Sequence, residues 1–119
     1  MKPVKKDTNR IAKVNSLIRR ELGPVLLRFL QDFKGLVTIT KVDTSRDMKW
    51  AKVWITIMGN TDLQKKTMDV LKENIHDLQE SLVEKLEMKI VPRVKFVIDH
   101  GEEYAARIDE LLKIALEDE

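Results

Sequence analysis

The sequence predicts a single α+β domain in which a three-stranded sheet packs on helices. The chain has 119 residues, enough for one modest hydrophobic core. Apolar residues recur at helical spacing in three segments and alternate with polar residues in three shorter ones. The predicted order is helix, strand, strand, long helix, strand, helix. We expect one domain over 1–119, with its core from about residue 8 to 113, a short basic N-terminal arm and an acidic C-terminal end.

The first helix lies in "TNRIAKVNSLIRRELGPVLLRFLQD". Its apolar residues at helical spacing are Ile11, Val14, Ile18, Leu22, Leu26 and Phe29 or Leu30. A short side-chain oxygen can accept a bond from an unpaired amide at a helix start, so we expect Thr8 or Asn9 to cap it. Gly23-Pro24 predicts a kink or a brief break, because proline removes a helical hydrogen bond.

Two strands of alternating pattern follow. Val37 and Ile39 share one side of the first strand, opposite Leu36, Thr38 and Thr40. The alternation in "AKVWITIM" predicts a half-buried, antiparallel second strand. One of its faces carries Ala51, Val53, Ile55 and Ile57, and the other carries Lys52, Trp54, Thr56 and Met58. In the polar connection "DTSRDMKW", we expect Ser45 and Asp47 to bond local amides and shape the turn while Arg46 presents charge.

A long helix follows Gly59-Asn60, and Thr61 with Gln64 forms a capping-box pattern at its start. Its apolar residues are Leu63, Thr67, Leu71, Ile75, Leu78, Leu82 and Leu86. About 26 residues is long for a globular helix, so we expect a bend or break near Asn74, His76 and Asp77.

A third strand and a last helix complete the pattern. "IVPRVKFVID" places Val94, Phe96 and Ile98 inward, Arg93 and Lys95 outward, and Pro92 at the strand start. "GEEYAARIDELLKIALEDE" predicts a final amphipathic helix.

Charge is segregated along the chain. Residues 1–52 hold 13 lysines and arginines against 5 acidic residues, a formal charge of +8, whereas residues 53–119 carry −6. This asymmetry fits a protein with one side facing nucleic acid. A dipole that only keeps the molecule soluble is the alternative. The chain has no cysteine, which indicates a reducing compartment. It shows no secretory signal and no run of membrane-spanning length, so we expect a cytoplasmic protein without a membrane partner.

Catalysis has little support in the sequence. His76 and His100 are the only histidines, and Asp99, His100 and Glu102 could suggest a metal or acid-base cluster. Their spacing matches no zinc pattern, and no glycine loop could cradle a phosphate. We therefore expect no catalytic residue, no metal and no cofactor.

The order of elements is that of a type II KH domain, a reader of single-stranded RNA. The chain resembles the ribosome-binding factor A family over about residues 10–112. The residues that carry this resemblance are "NRIAKVNSLIRREL", residues 37–40 (VTIT), 45–48 (SRDM) and 51–53 (AKV), and "LEMKIVPRVKFVID".

The resemblance implies a factor that binds free or immature 30S subunits and contacts 16S rRNA. It also implies help in late subunit maturation and 5′-end processing, notably in cold adaptation, with ribosomal proteins as possible further contacts and no catalytic activity. A general KH-like RNA-binding module and a protein-interaction module are the alternatives. We expect a monomer, because no heptad zipper demands a dimer.

The resemblance also locates an interhelical kink, where the family carries Ala-x-Gly in place of a GxxG loop, followed shortly by an arginine. Here the kink residues are Asn74, Ile75 and His76, and Gln79 stands at the arginine position. The bend can survive without glycine, because Asn and His bond freed backbone groups more readily than most residues.

The candidate RNA-binding residues fall into two groups. The strongest prediction is that the basic N-terminal residues bind phosphates; the alternative is that they form a solvated helix face. This set comprises Lys5, Lys6, Arg10, Lys13, Arg19 and Arg20. The second group lies on the outer sheet face, the strand connection and the third-strand region, where Trp54 serves as a stacking platform or packs against a terminal helix. Together they are Lys5, Lys6, Arg10, Lys13, Arg19, Arg20, Arg46, Lys49, Lys52, Trp54, Lys89, Arg93 and Lys95.

Overall fold

The computed structural model describes residues 2–31 and 37–100, with side chains from residue 9 onward in those ranges. The elements are α1 (Lys2–Phe29), β1 (Val37–Thr44), β2 (Trp50–Ile57), α2 (Thr61–Glu73), α3 (Ile75–Leu86) and β3 (Arg93–Ile98). The α+β class and the element order are confirmed through β3. The predicted last helix lies outside the described residues.

Helix α1 begins at Lys2, so the predicted start at Thr8 or Asn9 is wrong. Both residues lie inside the helix, and the segment expected as an arm is helical in its backbone. Pro3 falls in the first turn, where proline is tolerated because its missing N–H has no intrahelical acceptor.

Within residues 2–31 and 37–100, no helix combines the length and apolarity needed to cross a membrane.

Of the kink or brief break predicted at Gly23-Pro24, the break is absent, because α1 continues through Pro24 to Phe29. Val25, Leu26 and Leu30 follow the proline and are all buried. Burying such a side chain gains roughly 1.5–3 kcal/mol, whereas proline inside a helix costs about 3 kcal/mol. Three buried side chains therefore outweigh one lost hydrogen bond.

The sheet has the order β1-β2-β3. Strands β1 and β2 are antiparallel, and β2 and β3 are parallel. A parallel pair needs a crossover, which α2 and α3 supply. The core lies between these helices, α1 and the inner sheet face. Its buried apolar residues include Val14, Ile18, Leu22, Leu71, Leu78, Leu82, Ala51, Val53, Ile55 and Val94, which confirms the predicted apolar faces.

A β-bulge at Thr40 changes which residues of β1 face the core. Ile39 pairs with Ile55 and Lys41 with Trp54, so Thr40 is the extra residue. Because side chains alternate across a strand, one extra residue moves the buried positions from odd to even numbers. Val42 and Thr44 are therefore buried beyond the bulge. The Thr40 hydroxyl donates to Asp99 Oδ2 at 2.8 Å, which ties the bulge to the end of β3.

Helix α2 is capped one residue earlier than the sequence predicts. Asn60 is the N-cap, and its Oδ1 accepts the Leu63 N–H at 2.8 Å. Thr61 is the first helical residue, so it is not the cap. The Gln64 side chain donates instead to the carbonyls of Ile57 and Gly59, at 3.3 and 3.2 Å. The predicted break in the long helix is confirmed at Asn74, which separates α2 from α3.

Candidate nucleic-acid interface

The connection from Ser45 to Lys49 joins β1 to β2 and is built by its own polar side chains. The Ser45 hydroxyl donates to Asp47 Oδ1 at 2.6 Å, and the Lys49 N–H donates to the same oxygen at 3.0 Å. Ser45 Oγ accepts the backbone N–H of Trp50 at 3.1 Å. These bonds confirm that Ser45 and Asp47 shape the turn.

The carboxylate of Asp47 is held in its charged form within this connection. The hydrogen bond from Ser45, and then the bond from the Lys49 amide, lower the pKa of Asp47 below its usual value. Met48 completes the turn with a left-handed φ of 63° and packs half-buried against the core. Arg46 and Lys49 remain exposed, so the connection presents two cations on a hydrogen-bonded frame.

Helix α1 fixes the base of this connection. Asn15 lies on α1, and its Oδ1 accepts the backbone N–H of Thr44 at 2.9 Å and also accepts the Thr44 hydroxyl. Thr44 is buried and immediately precedes Ser45. The last residue of β1 is therefore clamped to the helix, and the exposed cations start from a fixed point.

The outer sheet face continues the positive surface beyond the connection. Lys52 of β2 is the register partner of Lys95 of β3, and Trp50 is the partner of Arg93. Neighbouring strands lie about 4.8 Å apart, so each pair is adjacent across the sheet. All four residues are exposed. Asp43 lies beside Lys52 on β1 and supplies an acidic group to the same row.

The two tryptophans of β2 have different environments. Trp54, the predicted stacking residue, is half-buried, and its indole Nε1 is buried without a hydrogen-bond partner among the described residues. Lys52 Nζ lies 5.6 Å from its ring centroid. Trp50 exposes half of its surface. Sequence reasoning missed Trp50, although its alternation with Ala51 places it on the same face as Lys52.

The link between α3 and β3, residues 87–92, lies next to the β1–β2 connection. Glu87 ends α3 in a left-handed conformation, with φ 48°, and turns the chain toward β3. Lys89 and Ile90 are exposed on this link. Between the link and the connection lies a depression of about 310 Å³, lined by Met48, Lys49, Trp50, Ile90, Val91 and Arg93.

The basic residues of α1 do not share one face of the helix. Arg10 and Arg19 are nine residues apart, which is about two and a half turns, so they lie on opposite sides. Arg19 lines a hollow with residues of β1, whereas Lys13 lines a separate hollow on α1. Arg20 is exposed and pairs with Glu21 at 3.3 Å. The side chains of Lys5 and Lys6 lie outside the described residues.

The interhelical break uses Asn74 as a structural residue. Its backbone N–H and its side-chain Nδ2 both donate to the Val70 carbonyl, at 3.1 and 2.8 Å. Its φ of −103° is open to any residue, so this break needs no glycine. His76 is exposed and lies 3.3 Å from Glu80 Oε1. Ile75 begins α3 and packs half-buried on the core.

Gln79, which the resemblance placed with the kink residues, joins α3 to β3. Its Nε2 donates to the Pro92 carbonyl at 2.9 Å, and its Oε1 accepts the Val94 N–H at 3.0 Å. The side-chain amide therefore pairs with the start of β3 as a neighbouring backbone amide does in a sheet. This use of both amide groups leaves Gln79 an internal role.

No three His, Asp or Glu side chains come together as a metal site within residues 9–31 and 37–100. Asp99 accepts the Thr40 hydroxyl, and Glu102 of the considered cluster lies outside the described residues.

Comparison with known sequences finds similarity over most of the chain. Residues 10–112 match the sequence profile of the family described as Ribosome-binding factor A. A ribosome-binding factor A from Microcystis aeruginosa is 34% identical over 106 residues, which cover 87% of this chain and 83% of the relative.

Solved structures show the same fold. The crystal structure of ribosome-binding factor A from Thermus thermophilus aligns with a TM-score of 0.65 at 18% identity, over 74% of this chain and 94% of that one. A homology model of the Thermus thermophilus protein, fitted into the cryo-EM map of a 30S complex, aligns with a TM-score of 0.61 at 18% identity, over 70% and 88% of the two chains.

Proposed function

Because the chain belongs to the ribosome-binding factor A family, we propose that it binds the 30S ribosomal subunit and contacts 16S rRNA. It assists late maturation of the subunit, including processing of the rRNA 5′ end, and does so in the cytoplasm and during cold adaptation. It acts by binding and not by catalysis. The observation that carries this proposal is the family match over residues 10–112. The homology model of a relative, fitted into the cryo-EM map of a 30S complex, supports the choice of partner.

The geometry supports a phosphate-binding surface at one end of the sheet. We call its six exposed cations the sheet-end cations: Arg46, Lys49, Lys52, Lys89, Arg93 and Lys95. Within the described part of the chain, none of them forms a salt bridge. Cations that meet phosphates release counterions from the RNA, so affinity falls as salt rises. Arg46 and Lys49 start from a hydrogen-bonded turn, which limits the ordering needed on binding.

Co-sedimentation with purified 30S subunits, 50S subunits and 70S ribosomes across a salt series tests the proposal. We expect selective, salt-sensitive association with 30S. A triple variant, Arg46→Ala with Lys49→Ala and Arg93→Ala, should bind weakly, and its salt slope should fall by about 2 because three phosphate contacts are lost. The matched control carries the same number of alanine substitutions at three exposed lysines of α2, Lys65, Lys66 and Lys72. It should bind as wild type does.

The same assay tests the cations of α1. Arg10→Ala with Lys13→Ala and Arg20→Ala should also weaken binding and flatten the salt dependence, whereas Arg19→Ala on the far side of the helix should not. Equal, weak association with all three ribosomal particles would contradict the 30S assignment and favour a general RNA-binding module. Association that survives nuclease and high salt would favour a protein-interaction module instead.

The maturation role has its own measurement. Cells that lack the protein should accumulate 16S rRNA with an extended 5′ end, most strongly at low temperature. Wild-type protein should restore the mature end, and the sheet-end triple variant should not. Normal 5′ ends in the depleted cells would overturn the processing role while leaving 30S binding intact.

A further inference from the structure

Trp50 and Ile90 form an apolar patch that the core does not account for. Trp50 exposes half of its surface and Ile90 exposes 73%. Both residues line the 310 Å³ depression between the connection and the α3–β3 link. Large apolar side chains that meet at an exposed depression indicate a binding surface more often than isolated ones do.

Among the described residues, the side chains that line this depression include two cations and no acidic group. Lys49 and Arg93 line it directly, and Arg46, Lys89 and the acidic Glu87 lie within three residues of lining residues along the chain. The acidic residue inside the connection is Asp47, whose carboxylate accepts hydrogen bonds from Ser45 and from the Lys49 amide. Its acceptor oxygen is therefore engaged in the turn. A ligand that combines flat apolar surface with negative charge complements such a site.

The shape of the site narrows the choice of ligand. Small-molecule pockets are typically about 300–1,000 Å³, so a depression of about 310 Å³ has room for one or two planar rings. The backbone of Trp50 is held in place, because its main-chain N–H donates to Ser45 Oγ and its main-chain carbonyl accepts the Ser45 N–H. A tryptophan side chain has only two rotatable bonds, so ordering it against a stacked ring costs little conformational entropy.

We propose, on the basis of the RNA-binding function proposed above, that Trp50 is a stacking site for one unpaired RNA base. Lys49 and Arg93 contact the phosphates on either side of that nucleotide, and Ile90 covers the edge of the base. The sheet end thereby recognises single-stranded RNA, because a base inside a duplex has no free face for Trp50. Trp50 supplies affinity that does not depend on salt, and the cations supply affinity that does.

Fluorescence of a single-tryptophan protein tests this site. In the Trp54→Phe variant, Trp50 is the sole tryptophan. An oligouridylate of about eight nucleotides should quench its emission in a saturable way, since a stacked base quenches the indole. An abasic ribose-phosphate oligomer of the same length should bind weakly and leave the emission unchanged. If the oligouridylate produces no quenching, with or without binding, the proposal is wrong.

Substitution at Trp50 separates stacking from charge. Trp50→Leu keeps apolar bulk but loses the aromatic face, so affinity for the oligouridylate should fall on the order of 10- to 100-fold with an unchanged salt slope. Trp50→Tyr should retain most of the affinity. Met58→Ala removes an exposed apolar residue outside the depression and should bind as wild type. Equal affinities for Trp50→Leu and wild type would overturn the stacking role.

Co-sedimentation of the same variants with 30S subunits distinguishes failure of this site from failure of the proposed function. If wild type does not bind 30S but the oligouridylate quenches Trp50, the stacking site stands and the ribosomal role falls. If wild type and Trp50→Leu bind 30S equally, the ribosomal role stands and the stacking site falls. Loss of 30S binding in Trp50→Leu without quenching by the oligouridylate identifies a protein surface as the occupant and overturns the base-stacking proposal.

Discussion

The β1–β2 connection and the α2–α3 break are both polar interruptions between regular elements, yet they use their polar side chains differently. In the connection, Ser45 and Asp47 bond the local backbone and leave Arg46 and Lys49 exposed. At the break, Asn74 bonds Val70, and Gln79 uses both ends of its amide to bond β3 and the residue before it.

This difference shows that polarity alone does not identify a binding surface. The Gln79 amide already satisfies the Pro92 carbonyl and the Val94 N–H, so it can reach a ligand only by leaving them unpaired, which costs about 1–3 kcal/mol for each group. The cations of the connection carry no such penalty, since the turn is held by other side chains. The RNA-facing surface is therefore expected at the sheet end, and the break is expected to hold the helices against the sheet.

The strongest test of this contrast is Gln79→Ala. The substitution leaves the Pro92 carbonyl and the Val94 N–H without their partner, so unfolding free energy should fall by about 2–4 kcal/mol. Urea denaturation measures the loss. Glu80→Ala, which removes only an exposed partner of His76, should change the unfolding free energy by less than about 0.5 kcal/mol.

The same variant also separates an internal role from a ligand contact. At temperatures where the Gln79→Ala variant is folded, it should bind 30S subunits as wild type does. A variant of normal stability that binds poorly would show instead that Gln79 contacts RNA.

A smaller effect is expected at Asn74. Asn74→Ala loses the side-chain bond to Val70 and should destabilise the protein by about 1 kcal/mol. Because φ is −103°, Asn74→Gly relieves no strain and adds freedom to the unfolded chain, so it should cost about 0.5–1 kcal/mol more than Ala. A glycine variant as stable as wild type would show that the Asn74 side chain does not stabilise this break as its hydrogen bond to Val70 indicates.

Sequence patterns predicted the elements whose signal is local and periodic. The alternation in β2 gave its buried face, because Val53 and Ile55 pack on the core and Lys52 remains exposed. The length of the apolar seam predicted a break, and Asn74 supplies it. Resemblance to the family located the same residue.

Features that depend on contacts between residues far apart in the sequence could not be predicted from these local patterns. Continuation of α1 through Pro24 depends on the burial of Val25 and Leu26 against other elements. The bulge at Thr40 is visible only once β1 is paired with β2. The cations of α1 were predicted to form one surface, but the spacing of 3.6 residues per turn places Arg10 and Arg19 on opposite sides of the helix.

The exposure of Trp50 also arose from tertiary structure. The predicted second strand began at Ala51 and therefore left Trp50 in the connection, whereas Trp54 was assigned to the outer face beside Lys52. How much of that face stays open depends on the segments that pack around it. The α3–β3 link brings Ile90 and Arg93 to Trp50, although these residues lie about forty positions away in sequence.

The smallest expected effect is the pH response of the connection. Hydrogen bonds from Ser45 and the Lys49 amide lower the pKa of Asp47 in the folded protein, so its carboxyl should titrate below about 3.9, the usual value for an aspartate. The charged carboxylate therefore stabilises the fold above that pH, and this contribution is lost as pH falls through the lowered pKa. NMR titration of the Asp47 carboxyl carbon measures the midpoint, and Ser45→Ala should raise it because the largest contributing hydrogen bond is gone. The stability difference between wild type and Asp47→Asn should accordingly be constant near neutral pH and shrink below about pH 4. A midpoint at or above the usual value, unchanged by Ser45→Ala, would mean that the turn does not hold the carboxylate as its geometry indicates.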